Sequence, residues 1–164
     1  MSVESDIAIV AEQERVCVFK TFDETIAAAI GMRLMELAKA KGEAMAVDVR
    51  FWNRQLFFCA MPGIRADHAE WLRRKSNFVR RFDHSSYGGT LRQQGKDFGF
   101  DSGLDQMEIA AHGGSFPIRI EGVGVIGAIT ATGVPGRRDH GYVVEAICAH
   151  LGIDYAPLAL PPEA

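Results

Sequence analysis

The sequence predicts an α/β chain of the α+β type: a single five-stranded, mainly antiparallel sheet flanked by helices. Three observations carry that expectation. Two pairs of apolar runs, within residues 45–61 and 115–131, are each joined by a tight turn, which is hairpin rather than crossover spacing. Segments with helical apolar spacing alternate with them, in the order α-β-α-β-β-α-(α)-β-β-α. Short strands bury too little area alone, so the four main helices must cover the sheet.

The composition agrees with one packed core. Of 164 residues, 48% are hydrophobic and 24% charged, which excludes disordered and fibrous classes. Residues 1–164 read as one domain, with no repeat, low-complexity tract or linker. A formal charge of −3 gives no reason to expect a nucleic-acid or membrane partner. No uncharged apolar run approaches the roughly 20 residues that a bilayer span needs. The start, Met1-Ser2-Val3-Glu4-Ser5-Asp6, is acidic and lacks the basic-then-apolar layout of a signal peptide, so a cytoplasmic setting is expected. Cys17, Cys59 and Cys148 lie in apolar runs, without the spacing of a zinc site or a disulfide framework.

Taken in order, residues 4–14 read as a short helix and residues 15–19 as a short strand. Thr21-Phe22-Asp23-Glu24 fits a capping box with Thr21 as the cap. The helix it opens carries Ile26, Ile30, Leu34 and Leu37 at helical spacing, with Gly42 placed to end it. Met45, Val47, Val49 and Phe51 then alternate with Ala44, Ala46, Asp48 and Arg50, which predicts a strand with one wet face. Asn53-Arg54 turns the chain into a more continuously apolar strand over residues 55–61, stopped by Pro62-Gly63. So little alternation predicts a strand partly covered by a partner subunit.

Asp67-His68-Ala69-Glu70 reads as a second capping box, opening a helix to about residue 82. Its apolar stripe is Ala69, Leu72, Val79 and Phe82, with Trp71 and Phe78 beside it. Residues 84–103 read as a loop around one short helix near residues 91–94, and residues 104–111 could add a helical turn. Strands at 115–120 and 123–131 follow, joined by Glu121-Gly122. The turn Gly133-Val134-Pro135-Gly136 then leads into a final helix ending at Gly152.

Candidate chemistry gathers between residues 112 and 140. Adjacent glycines, Gly113 and Gly114, let a backbone approach a ligand closely, or mark a strained turn. Arg74 and Lys75 could bind a carboxylate or phosphate, and Lys75 lies nearest the buried stripe of its helix. Five histidines occur without HExxH or HxxxH spacing, so no dedicated metal site is expected. His112 and His140 flank the second hairpin, and either could serve as acid, base or metal ligand.

The run His112-Gly113-Gly114-Ser115-Phe116-Pro117-Ile118, followed by Gly124-Val125-Ile126-Gly127-Ala128-Ile129, resembles the haem-degrading-domain superfamily (DUF336) of HbpS-like and GlcG-like proteins. With Trp71-Leu72-Arg73-Arg74-Lys75, Ser85-Ser86 and Asp139-His140, the likeness is greatest to the UPF0303 branch, and it spans roughly residues 21–151. One turn departs: the superfamily's Val-Ser-Gly is Ala131-Thr132-Gly133 here, which keeps a hydroxyl on Thr132. The resemblance implies a profilin-like α/β layer, a homo-oligomer and a small anionic ligand, with haem or another tetrapyrrole as the first named candidate. It adds Ser85, Ser86, Thr132, Asp139 and His140 to the ligand-binding set of Arg74, Lys75, His112, Gly113 and Gly114. The residues name no reaction. An enzyme acting on a small organic acid, with His112 and Lys75 as its acid/base pair, and a protein-interaction adaptor stand as alternatives.

Overall fold

The computed structural model describes residues 3–93 and 103–162. The chain runs α1 (Val3–Val16), α2 (Glu24–Ala40), β1 (Ala46–Phe51), β2 (Arg54–Ala60), α3 (Ala66–Phe82) and α4 (Ser86–Gln93). It continues through β3 (Ser115–Ile120), β4 (Gly124–Thr132), α5 (Gly136–Leu151) and a short 3-10 helix, Ala156–Leu158. The sheet has four strands in the order β2-β1-β4-β3, and every neighbouring pair is antiparallel.

Four strands, not five, is a correction. The expected strand at residues 15–19 is instead the last turn of α1 followed by a single parallel bridge from Phe19 to Ile120. Phe19 donates to the Arg119 carbonyl and accepts from Glu121, so the segment is fastened to β3 by two hydrogen bonds without forming a ladder.

Strand alternation divides the sheet into two faces. Val47, Val49, Phe116, Ile118, Ile129 and Ala131 point to one face, where they pack with Ile30 and Leu34 of α2 and Val143 and Ile147 of α5. Each such fully buried aliphatic side chain contributes about 1.5–3 kcal/mol. Asp48, Ser115, Thr130 and Thr132 point to the other face, which α3 covers. This second face is polar but dry. Ser115 and Thr130 share a 2.8 Å hydrogen bond between strands. Asp48, expected in water, is buried because Arg50 and Gln55 both donate to its carboxylate.

Helix ends follow local chemistry, with shifts of a residue or two. Asp23, rather than Thr21, caps α2, its Oδ1 accepting from the Ile26 amide at 2.9 Å. At the other end Gly42 adopts φ +69°, with its amide on the Lys39 carbonyl and the Glu43 amide on that of Ala38, the pairing that closes a helix through a left-handed glycine. α3 begins at Ala66, with Arg65 as its cap and His68 Nδ1 accepting from the Arg65 amide, so Asp67 lies in its first turn. Ala69, expected on the buried stripe, is exposed. The turn between β1 and β2 is Trp52-Asn53, one residue earlier than expected. The short helix expected at 91–94 begins at Ser86 and is described to Gln93. Residues 94–102, which include Gln94 and most of the remainder of the loop expected over 84–103, lie outside the described residues. Residues 104–111 contain a turn but no helix.

Candidate functional site

At the end of β4 the chain turns through Gly133, Val134 and Pro135 into α5, and this turn faces α3. Pro135 stands at the cap position of α5 with no side-chain acceptor, leaving nearby amides to be satisfied otherwise. Asp139, in the first turn of α5, fills that role: its Oδ1 accepts from the Val134 amide at 3.2 Å. Its second oxygen accepts from Lys75 Nζ at 2.9 Å. Lys75 also donates to Thr132 Oγ1 and to the Ala131 carbonyl, each at 3.3 Å. One ammonium therefore ties α3 to the end of β4 and the start of α5.

Both ends of this pair are buried, Lys75 being 3% exposed and Asp139 1%. Burial lowers the Lys75 pKa from its ordinary value, against the attraction of Asp139 and the hydrogen bond to it. Burial raises that of Asp139, against Lys75 and the backbone amides of Val134 and Gly133. Loss of water thus pushes both groups toward their neutral forms, while each holds the other's charge in place.

Above the pair lies a cavity of about 320 Å³, lined by Lys75, Thr132 and Asp139 together with Arg65, Asp67, His68, Trp71, His112 and the Gly133–Gly136 turn. The first three are buried and form the floor, whereas Arg65, Asp67 and His112 are exposed at the lip. His112 stands edge-on to Trp71, with ring centroids 5.0 Å apart. Partial desolvation, then the positive charges of Lys75 and Arg74, lower the His112 pKa, so its neutral imidazole is favoured.

The two glycines behind His112 owe their identity to close approach. A side-chain carbon on Gly113 would lie 2.2 Å from the Gly136 carbonyl oxygen. One on Gly114, where φ is +128°, would lie 2.3 Å from the Ala131 carbonyl oxygen and 2.8 Å from Lys75 Nζ. Gly114 also accepts from the Ala131 amide at 2.8 Å. The loop is thereby pressed against the β4 end and the lysine.

Of the residues singled out in the sequence, Lys75, His112, Thr132 and Asp139 meet around this cavity, and Gly113 and Gly114 back it. Arg74 turns aside. Its guanidinium lies 4.3 Å from the centroid of the Trp71 ring and lines a neighbouring cavity of about 250 Å³, which His112 also borders. Ser85 and Ser86 serve the backbone instead: Ser85 Oγ accepts from Gly88, and Ser86 Oγ from the Ser115 amide at 3.0 Å. His140 is fully buried between Tyr87 and Phe116, away from the cavity lining. Lys75 donates to Asp139, Thr132 and the Ala131 carbonyl, and its charge partner is Asp139 rather than His112.

Arg65 and His68 were missed as site residues. The sequence signal for them was only the proximity of Arg65 and His68 to the start of the helix that carries Lys75. Among the described residues no group of three or more His, Cys, Asp or Glu side chains gathers as a metal-ligand set. No described helix is long and apolar enough to cross a membrane.

Comparison with known proteins agrees with the architecture. A UPF0303 protein of Mesorhizobium japonicum is 46% identical over 166 residues, covering 100% of this chain and 99% of its own. The crystal structure of the Ybr137w protein superposes with a TM-score of 0.83 at 24% identity, covering 93% of this chain and 88% of that one. A PduOC:heme complex superposes with a TM-score of 0.66 at 16% identity, covering 79% and 94%. The family described as "Haem degrading protein HbpS-like" matches residues 22–148. The chain therefore belongs to the HbpS-like family of haem-degrading-type proteins, in its UPF0303 branch.

Proposed function

We propose that this chain is a single-domain, homo-oligomeric protein that holds a small anionic ligand in the cavity above Lys75 and Asp139. The observation that carries this reading is the composition of the cavity wall. Asp139 already neutralises Lys75, so the positive charge offered to a ligand comes from Arg65, which shares the lip with the Asp67 carboxylate and has His68, His112 and the amide end of α5 beside it. Trp71 supplies an apolar wall. At about 320 Å³ the space sits at the small end of ligand sites, which suits a short organic acid or one carboxylate arm of a larger molecule.

A carboxylate-bearing tetrapyrrole is the named ligand class, and the similarity to a PduOC:heme complex supports it. The donor set fits such a group: Arg65 suits a propionate, and the exposed His112 offers an imidazole kept in its neutral form. Haem, when bound, would supply the iron chemistry; this chain's residues would bind and orient it. The edge strand β2, with Phe58 49% exposed, supports self-association, and three free thiols suit a cytoplasmic setting.

Haemin titration followed by absorption spectroscopy, alongside native mass spectrometry of the purified chain, tests the proposal. A shifted Soret band that His112→Ala abolishes supports the tetrapyrrole. A retained organic acid that Arg65→Ala releases supports the smaller ligand. Binding of neither refutes the reading.

A further inference from the structure

From the juxtaposition of Lys75, Asp139 and Thr132 on the cavity floor beneath Arg65 and His68, we infer that the Lys75 amine forms an imine with the carbonyl group of a small 2-oxo acid. This rests on the proposed anion site and names the substrate class it would take.

The geometry supplies each part of the step. Lys75, although only 3% exposed, lines a cavity that opens to solvent. Its proton acceptor is in place, with Asp139 Oδ2 at 2.9 Å, and Thr132 Oγ1 at 3.3 Å can relay a proton. Arg65 at the lip suits a substrate carboxylate and His68 lies beside it, leaving the adjacent carbonyl carbon to point toward the floor. A lysine withdrawn from water is the form of this side chain that acts as a nucleophile. Burial lowers the Lys75 pKa and raises that of Asp139, which reduces the cost of passing a proton from the amine to the carboxylate. Only glycine at position 114 leaves room for the amine, because a side-chain carbon there would come within 2.8 Å of it.

The step balances without an oxidant or reductant. The Lys75 ammonium passes one proton to the Asp139 carboxylate. The free amine then attacks the carbonyl carbon, and a second nitrogen proton moves to the former carbonyl oxygen through Thr132, giving a carbinolamine. Asp139 returns its proton to that hydroxyl, which leaves as water, and the nitrogen keeps its last proton as a cationic imine facing the regenerated Asp139 carboxylate. The ion pair on the floor is thus present before and after reaction, so the buried charge stays balanced.

Pyruvate is the probe. The full chain would be incubated with it at neutral pH, with and without cyanoborohydride, and analysed by intact mass and peptide mapping, while calorimetry measures pyruvate binding without reductant. The expected result is one reduced adduct per chain, mapped to Lys75, with Lys20, Lys39 and Lys41 as internal controls, and its loss in Lys75→Arg. The mapping on the unaltered chain stands even if that variant fails to fold. Binding without adduct, or adducts spread over the control lysines, overturns the imine and leaves the anion site standing. Absence of both binding and adduct overturns the imine and denies this site to short 2-oxo acids. Haemin or a co-purified acid bound in the parallel tests would then still mark the cavity as an anion site.

Discussion

His140 sets an acid limit on the stability of this fold. The ring is fully buried, with Nε2 2.7 Å from Gln13 Oε1 and Nδ1 without a hydrogen-bond partner. Gln13 donates its own amide to the Leu158 carbonyl at 2.7 Å, which turns its oxygen toward the imidazole. Nε2 must therefore carry the proton, and Nδ1 is a bare lone pair in an apolar shell of Tyr87 and Phe116. Protonating it would bury a charge with no hydrogen-bond partner, and loss of hydration depresses the pKa from 6.5 to about 3, with Arg137 adding to the depression and Asp6 partly offsetting it. Between those limits the unfolded chain binds a proton that the folded chain refuses, so stability is full above 6.5 and falls as pH falls. At 1.36 kcal/mol per pH unit the loss is of the order of 2 kcal/mol by pH 5 and 4 kcal/mol by pH 3. Urea unfolding at a series of pH values, for the unaltered chain and His140→Phe, isolates this contribution. The variant leaves Gln13 Oε1 unpaired and loses roughly 1–3 kcal/mol at neutral pH. Its acid slope should be shallower, so the two stability curves converge on acidification. Parallel curves from pH 7.5 to 5 would refute the reasoning.

Two further outcomes follow from the packing. Lys75→Met strands the Asp139 carboxylate and should cost about 3–5 kcal/mol in chemical denaturation, whereas adding Asp139→Leu should recover most of it, less about 1 kcal/mol for the lost acceptor at the start of α5. A double variant no more stable than Lys75→Met would show that the pair is not the source. Phe58→Glu places a charge on the exposed face of β2 and should shift the proposed oligomer toward chains of 18.0 kDa in sedimentation velocity, with unchanged circular dichroism. An unaltered sedimentation profile places any self-association elsewhere.

What could be read in the sequence was whatever depended on near neighbours. The end of α2 at Gly42, both hairpins and the position of Lys75 beside the buried stripe of α3 all follow from spacings within a turn or two. What could not be read depended on partners far along the chain. Val16 to Phe19 alternates like a strand, yet α1 continues to Val16 and leaves a single bridge to Ile120. Asp48 looked like a solvent-facing residue because the covering side chain of Gln55 belongs to the next strand. Nothing near His140 announces Gln13, 127 positions away, as the group that fixes its tautomer. Ser86 likewise gives no local sign of holding the Ser115 amide at the start of β3.

The floor of the cavity shows why a charged pair stands where apolar side chains would fold as well. Pro135 gives α5 a start without a side-chain acceptor, which calls for a carboxylate from within the helix. A carboxylate this deeply buried requires a cation, and the only described residue hydrogen-bonding to it as a cation is Lys75, brought in by α3 from across the sheet. Position 114 is glycine because φ is +128° and a side-chain carbon would meet the Ala131 carbonyl oxygen at 2.3 Å and Lys75 Nζ at 2.8 Å, which lets the His112 loop lie close over the pair. Met and Leu could fill the same volume at little cost in stability, but neither would hold Thr132, the Ala131 carbonyl and the Val134 amide of the turn into α5 in one hydrogen-bonded unit. The arrangement fixes three elements at the floor of a cavity that opens to solvent. Its cost is easiest to understand if the amine, and not only the pair, is what the cavity presents.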